Sequence, residues 1–276
     1  MKLARAFPRS LALVLALAAG WAQALTFVVN EGVTYRVGND EIRARYAPIA
    51  ADLTKLLGQP VRVEPVADYP TLRKGLADKS YELALVHPAH IAIGAMKHSG
   101  YQLVAVTKGF EKYSAAFMVR ADAPFKSLAE LRGRKVGAPD EDSITSWLVR
   151  ATMRDALGDA KAVAYTYTRY QDAVPFMVEH TFTQTGASAS NAVIKQWEAS
   201  GGKVLARSKP VPIKQIIAGP QLSAEQLEKV REYFIALDAT EAGRKKLEPI
   251  KVKGYAAYDP QELLALGAWL GIGAAP

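Results

Sequence analysis

The chain has 276 residues, no cysteine, and 35 Lys and Arg against 27 Asp and Glu, a formal charge of +8. The missing thiols exclude disulfides, thiolate metal sites and cysteine nucleophiles. The excess of base is scattered among acids, which argues against a nucleic-acid partner and is compatible with a small anion.

The N-terminus reads as a secretory signal, because Lys2, Arg5 and Arg9 precede an apolar run from Leu11 to Ala19 that closes on Ala22-Gln23-Ala24. The run falls short of the roughly 20 residues that a spanning helix needs. Cleavage after residue 24 is expected, which removes three cations and leaves 252 residues carrying +5. That length suffices for one large domain or two lobes without crosslinks.

From Leu25 onward, short apolar runs alternate with amphipathic ones, the pattern of α/β layering with mostly parallel sheets. Strands are expected at Thr26 to Asn30, Val61 to Pro65, Tyr81 to Val86 and Gln102 to Thr107. Between the first two, Ile49, Leu53, Leu56 and Leu57 repeat at helical spacing and stop at Gly58. The Ala-Asp-Ala-Pro segment after Arg120 breaks the pattern. A second series follows: strand Arg134 to Ala138, helix Ser143 to Leu157, strand Val163 to Thr168, helix Tyr170 to His180, strand Phe182 to Gly186, helix Asn191 to Ala199 and strand Lys203 to Ala206. Pro210 to Ala218 is extended and the last fifty residues are helical. The β-like segments Ala115 to Arg120 and Lys214 to Ala218 bracket the middle block, so residues 25–118 and 215–276 form one lobe and 119–214 a lobe inserted in it.

Three local features bear on function. Pro139 to Trp147 joins a strand to a helix and places the hydroxyls of Ser143, Thr145 and Ser146 at a helix start, where free N–H groups favour an anion. Ser143 or Asp142 serving only as the helix cap is the alternative. His87 and His90 follow the strand ending at Val86, the strand end where ligands of open α/β folds bind. With no acid nearby to complete a set, metal is not expected there. Tyr69, Tyr113 and Tyr170 fall at strand–helix joints or beside a crossing strand. No nucleophile elbow, zinc-protease motif or phosphate loop is present, so no cofactor is expected and an exported hydrolase using Ser143 is the weaker reading.

The chain resembles the phosphate, phosphite and phosphonate binding components of ABC importers. The resemblance runs from about Tyr35 to Leu270. It rests on Arg45-Tyr46-Ala47-Pro48, Ala67-Asp68-Tyr69, Tyr81-Glu82-Leu83-Ala84 with Pro88, Tyr113-Ser114, Ser127 to Gly133 and Ser208 to Pro212. It implies a type II periplasmic binding protein: two α/β lobes joined by a two-strand hinge, with a ligand cleft between them. By this similarity Tyr69, Tyr113 and Ser114 belong to the first-lobe side of the site, and Ser143 and Thr145 match the outer positions of a Ser-Thr-Ser run whose middle position is Ile144 here. Gln171 stands where the family typically has His. Asn191 and Lys214 stand where members that bind aminoalkyl phosphonates carry acids, which implies a plain anion instead. The expected protein is a periplasmic monomer that captures phosphate, phosphite or a simple phosphonate and hands it to a membrane permease. A ligand sensor reporting to a histidine kinase is the alternative output.

Overall fold

A computed structural model describes residues 24–32 and 38–273. The expected signal segment therefore lies, but for Ala24, outside the described residues.

The chain first lays down β1 (Leu25–Val29), α1 (Asn39–Leu57), β2 (Val61–Pro65), α2 (Tyr69–Ala77), β3 (Leu83–Val86), α3 (Ala89–Ser99) and β4 (Gln102–Thr107). It then crosses to a second unit: β5 (Ala116–Val119), β6 (Lys135–Ala138), α4 (Ile144–Leu157), β7 (Ala164–Tyr167), α5 (Val174–Glu179), β8 (Thr185–Ser188), α6 (Asn191–Ala199) and β9 (Lys203–Arg207). It returns with β10 (Gln215–Ala218), α7 (Ala224–Ala236), α8 (Glu241–Leu247), β11 (Tyr255–Ala256) and α9 (Pro260–Leu270).

Two mixed sheets result, in the orders β11-β4-β10-β3-β1-β2 and β7-β6-β8-β5-β9. In the first, β1 runs parallel to β2 and β3, while β10 lies antiparallel between β3 and β4. Both faces of this sheet are covered. Val28, Ala84 and Val86 pack into one apolar cluster, and their neighbours Phe27, Val29, Leu83 and Leu85 into the other. A strand buried on both faces needs an unbroken apolar run, which is what β3 and the Phe27–Val29 part of β1 show.

The lobe boundary expected after residue 118 lies earlier. β5 is buried along its whole length and pairs with β8 and β9, so it belongs to the second sheet, while β10 belongs wholly to the first. Segments 108–115 and 208–214 make the crossings. They are tied together by Tyr113 N–H to Val211 O at 3.1 Å, Val211 N–H to Tyr113 O at 2.9 Å and Ser208 N–H to Ala115 O at 2.8 Å. Three further expectations shift. The helix expected over 170–180 is a short 3-10 turn at Gln171–Ala173 followed by α5, and the strand expected at 182–186 starts at Thr185. The C-terminal region contains the edge strand β11 among its helices.

Candidate ligand-binding site

Parallel strands deliver the following helices with their N-termini at one end of the sheet, and each sheet does this toward the gap between them. α2 starts at Tyr69, capped by Asp68, whose carboxylate accepts from Thr71 N at 2.8 Å. α4 starts after Ser143, whose Oγ accepts from Ser146 N at 3.2 Å. α6 starts after Ser190, which accepts from Val193 N at 3.4 Å. A cavity of about 600 Å³ lies where these three starts converge, bordered by Tyr69, His87, Tyr113, Ser143, Thr145 and Gln171.

Of the ten residues proposed from the sequence to bind the ligand, six border one cavity, and Tyr170 borders it too. The other four do not border it. Ser146 is fully buried and donates to Pro139 O at 3.0 Å, because one turn into α4 its hydroxyl turns back toward the preceding loop. Ser114 and Asn191 border a neighbouring cavity of about 800 Å³ that shares Tyr113 as a wall. Lys214 borders neither; its Nζ sits 4.3 Å from the centre of the Phe110 ring. Burial lowers the Lys214 pKa and the charge of Glu31 partly offsets this. Nor does the cavity lack acids, since the exposed Asp140 and Asp172 stand on its rim with Arg169 and Tyr170. The charge argument from Lys214 against an ammonium-bearing ligand therefore loses its basis.

A hydrogen-bonded chain crosses the inner wall. Ala189 N–H (2.6 Å) and Ser188 Oγ (3.0 Å) donate to Gln171 Oε1. Gln171 Nε2 donates to Tyr113 Oη at 3.0 Å, and Tyr113 Oη lies 2.9 Å from Thr145 Oγ1. A backbone N–H can only donate, so the amide orientation of Gln171 is fixed, with Nε2 turned to Tyr113. Tyr113 Oη accepts the hydrogen bond from Gln171, and in its contact with Thr145 either hydroxyl can donate, so this pair can adjust its hydrogens to a ligand. Burial raises the pKa of Tyr113, so the phenol stays protonated.

His87 is held from two sides. Its Nδ1 is 3.1 Å from Ile213 O, and its ring lies so close to Gly32 that a Cβ there would come within 2.3 Å of it. Gly32 also has φ +92°. Gly32→Ala should therefore cost on the order of 1 kcal/mol or more of stability in a denaturant titration and displace the His87 ring. Burial first, and the nearby Lys214 second, lower the His87 pKa to about 4.

Beside the cavity an ion pair bridges the two units. Arg73 of α2 grips Asp142, one residue before the α4 cap, with both nitrogens at 2.6 Å, and His90 Nε2 lies 3.3 Å from the same carboxylate. Burial would raise the Asp142 pKa, but the hydrogen bonds from His90 and Arg73 outweigh it and hold the carboxyl well below its usual range. His90 stacks on Trp147 with ring centres 5.2 Å apart. Neither the Arg73–Asp142 pair nor Ser190 is singled out in the sequence. Ser190 carries the same strand–Ser–helix signal as Ser143, whereas a pair 69 residues apart leaves no local trace.

Among the described residues no group of acids, His or Cys could hold a metal ion, and no helix is long and apolar enough to cross a membrane.

Comparison with solved structures places this architecture. A protein from Xanthomonas citri solved bound to ATP superposes with a TM-score of 0.70 at 15% identity, over 90% of this chain and 98% of that one. PhnD1 from Prochlorococcus marinus in complex with methylphosphonate gives 0.62 at 14%, over 90% and 97%. A binding protein component of an ABC phosphonate transporter from Pseudomonas aeruginosa gives 0.58 at 17%, over 89% and 85%. These likenesses establish the fold, that of a type II periplasmic binding protein. Comparison with curated protein sequences finds no match. The profile of the phosphonate periplasmic substrate-binding proteins of ABC transporters matches residues 32–263, and the chain belongs to that family.

Proposed function

We propose that the protein captures a phosphorus oxyanion in the periplasm, after removal of residues 1–24, and presents it to an ABC permease. The observation that carries this reading is the convergence of the α2, α4 and α6 starts on one cavity bordered by the hydroxyl-bearing side chains of Tyr69, Tyr113, Ser143 and Thr145. Such helix starts offer N–H and O–H donors to an anion, and the two acids of the cavity, Asp140 and Asp172, are exposed on its rim. Lys214, close enough to depress His87, adds positive charge at short range without lining the cavity.

Two of the superposable proteins were solved with phosphorus oxyanions, ATP and methylphosphonate, while the first was also solved with chloride and another is an aliphatic sulphonate binding protein. A volume of about 600 Å³ is on the order of twenty water volumes. That exceeds what a bare tetrahedral anion fills and leaves room for a substituent against Ile144 and Val193. A phosphonate or phosphate monoester thus uses the cavity more fully than inorganic phosphate.

Calorimetric titration with methylphosphonate, phosphite, phosphate, a phosphate monoester and sulfate tests the reading. At least one phosphorus oxyanion should bind with Kd in the micromolar range or tighter, about −8 kcal/mol. Binding of none below the millimolar range would remove the ligand assignment and leave the fold untouched.

A further inference from the structure

One group in the cavity does not fit a wall built only to donate. The Nδ1 of His87 faces a backbone carbonyl, Ile213 O, at 3.1 Å. A carbonyl can only accept, so Nδ1 carries the ring proton. The imidazole is also kept neutral, being enclosed against Gly32 with the Lys214 ammonium nearby. Nε2 is then a bare lone pair on a ring that borders the cavity, with no partner among the described residues. A lone pair is repelled by an anionic oxygen but accepts from an acidic O–H.

We infer that His87 is a specificity residue that selects a ligand still carrying one acidic O–H, a monoprotonated phosphorus oxyacid, over sulfonates and sulfate. The inference rests on the phosphorus-oxyanion reading and sharpens it. The monoanion of a phosphonate or phosphate monoester keeps one P–O–H until its second ionisation, which falls near about 6 for phosphate monoesters. Sulfonates and sulfate have already lost every proton. Thr145 and the helix N–H groups take the ionised oxygens, and His87 Nε2 takes the hydroxyl. Losing the proton leaves the lone pair against a negative oxygen, a cost of about ten- to hundredfold in affinity.

The other titratable groups around His87 move differently. Lys214 stands beside it, His90 lies one turn along α3, and across the cavity are Tyr69, Tyr113, Asp140, Arg169, Tyr170 and Asp172. Of these, Lys214 has a lowered pKa and would weaken binding of every anion as pH rises. A sulfonate, whose own charge is constant, reports that background.

The test is calorimetry with methylphosphonate and methanesulfonate at about pH 6 and about pH 9. At the lower pH, methylphosphonate should bind at least about tenfold tighter than methanesulfonate. At the higher pH the ratio should shrink toward one. His87→Leu should abolish both the preference and its pH dependence, with folding checked by thermal melting. Should that variant fail to fold, the wild-type pH series still decides. Equal affinity for the two ligands at the lower pH, or tighter binding of methylphosphonate as it loses its proton, overturns the inference alone. Failure of every phosphorus oxyanion to bind would overturn the underlying reading as well.

Discussion

Replacing Gln171 with glutamate should weaken methylphosphonate binding by about a hundredfold while the protein stays folded. A carboxylate at 171 would still accept from Ser188 and Ala189, but its second oxygen would take the proton of Tyr113 where Gln171 now donates one. Tyr113 would then be committed to donate to residue 171, and the wall would carry a negative charge that repels an anionic ligand. Gln171→Leu removes the same contacts without reversing them or adding charge, and should cost only about tenfold. Calorimetry of the two variants side by side separates the effect of the added charge from that of the lost contacts. Equal losses would mean that Gln171 acts only as packing.

Asp142→Asn should speed ligand release by about three- to tenfold with little effect on the association rate. Arg73 and Asp142 join the helix that begins with Tyr69 to the loop that leads into Ser143, so the pair fastens the two halves of the candidate site to each other. Both side chains are about 40% exposed, which limits the effect to that of a well-formed surface bridge. Stopped-flow fluorescence is suited to the measurement, because Trp147 stacks on His90 at this junction. Exchanging the charges, Arg73→Asp with Asp142→Arg, should recover part of the lost residence time. An exchange no better than either single change would show that the pair does not couple the halves.

How much of this is legible in the sequence depends on the range of the interaction concerned. The apolar runs of β1 and β3 and the Ser143 cap are local signals and stand where the sequence places them. β5 has the same local character, but which sheet it joins is settled by its partners β8 and β9, about seventy and ninety residues away. Gln171 is visible as a polar residue at a helix start. Its orientation is not, because that depends on Ala189 presenting a backbone N–H across the cavity. Lys214 shows the limit of reading charge without direction: it lies at the end of a crossing segment, yet its ammonium turns onto Phe110 instead of into the cavity. Asn191 and Ser190 differ by one residue, and helix geometry sends them to different cavities.

Tyr113 borders the cavity with its side chain while its backbone makes both bonds of the bridge to Val211 that ties the two crossings. A ligand gripping its hydroxyl would pull on the fulcrum itself, with almost no lever between the load and the pivot. A ligand that shifted Tyr113 would therefore act directly at the bridge joining the two crossings, and through it on the angle between the two sheets.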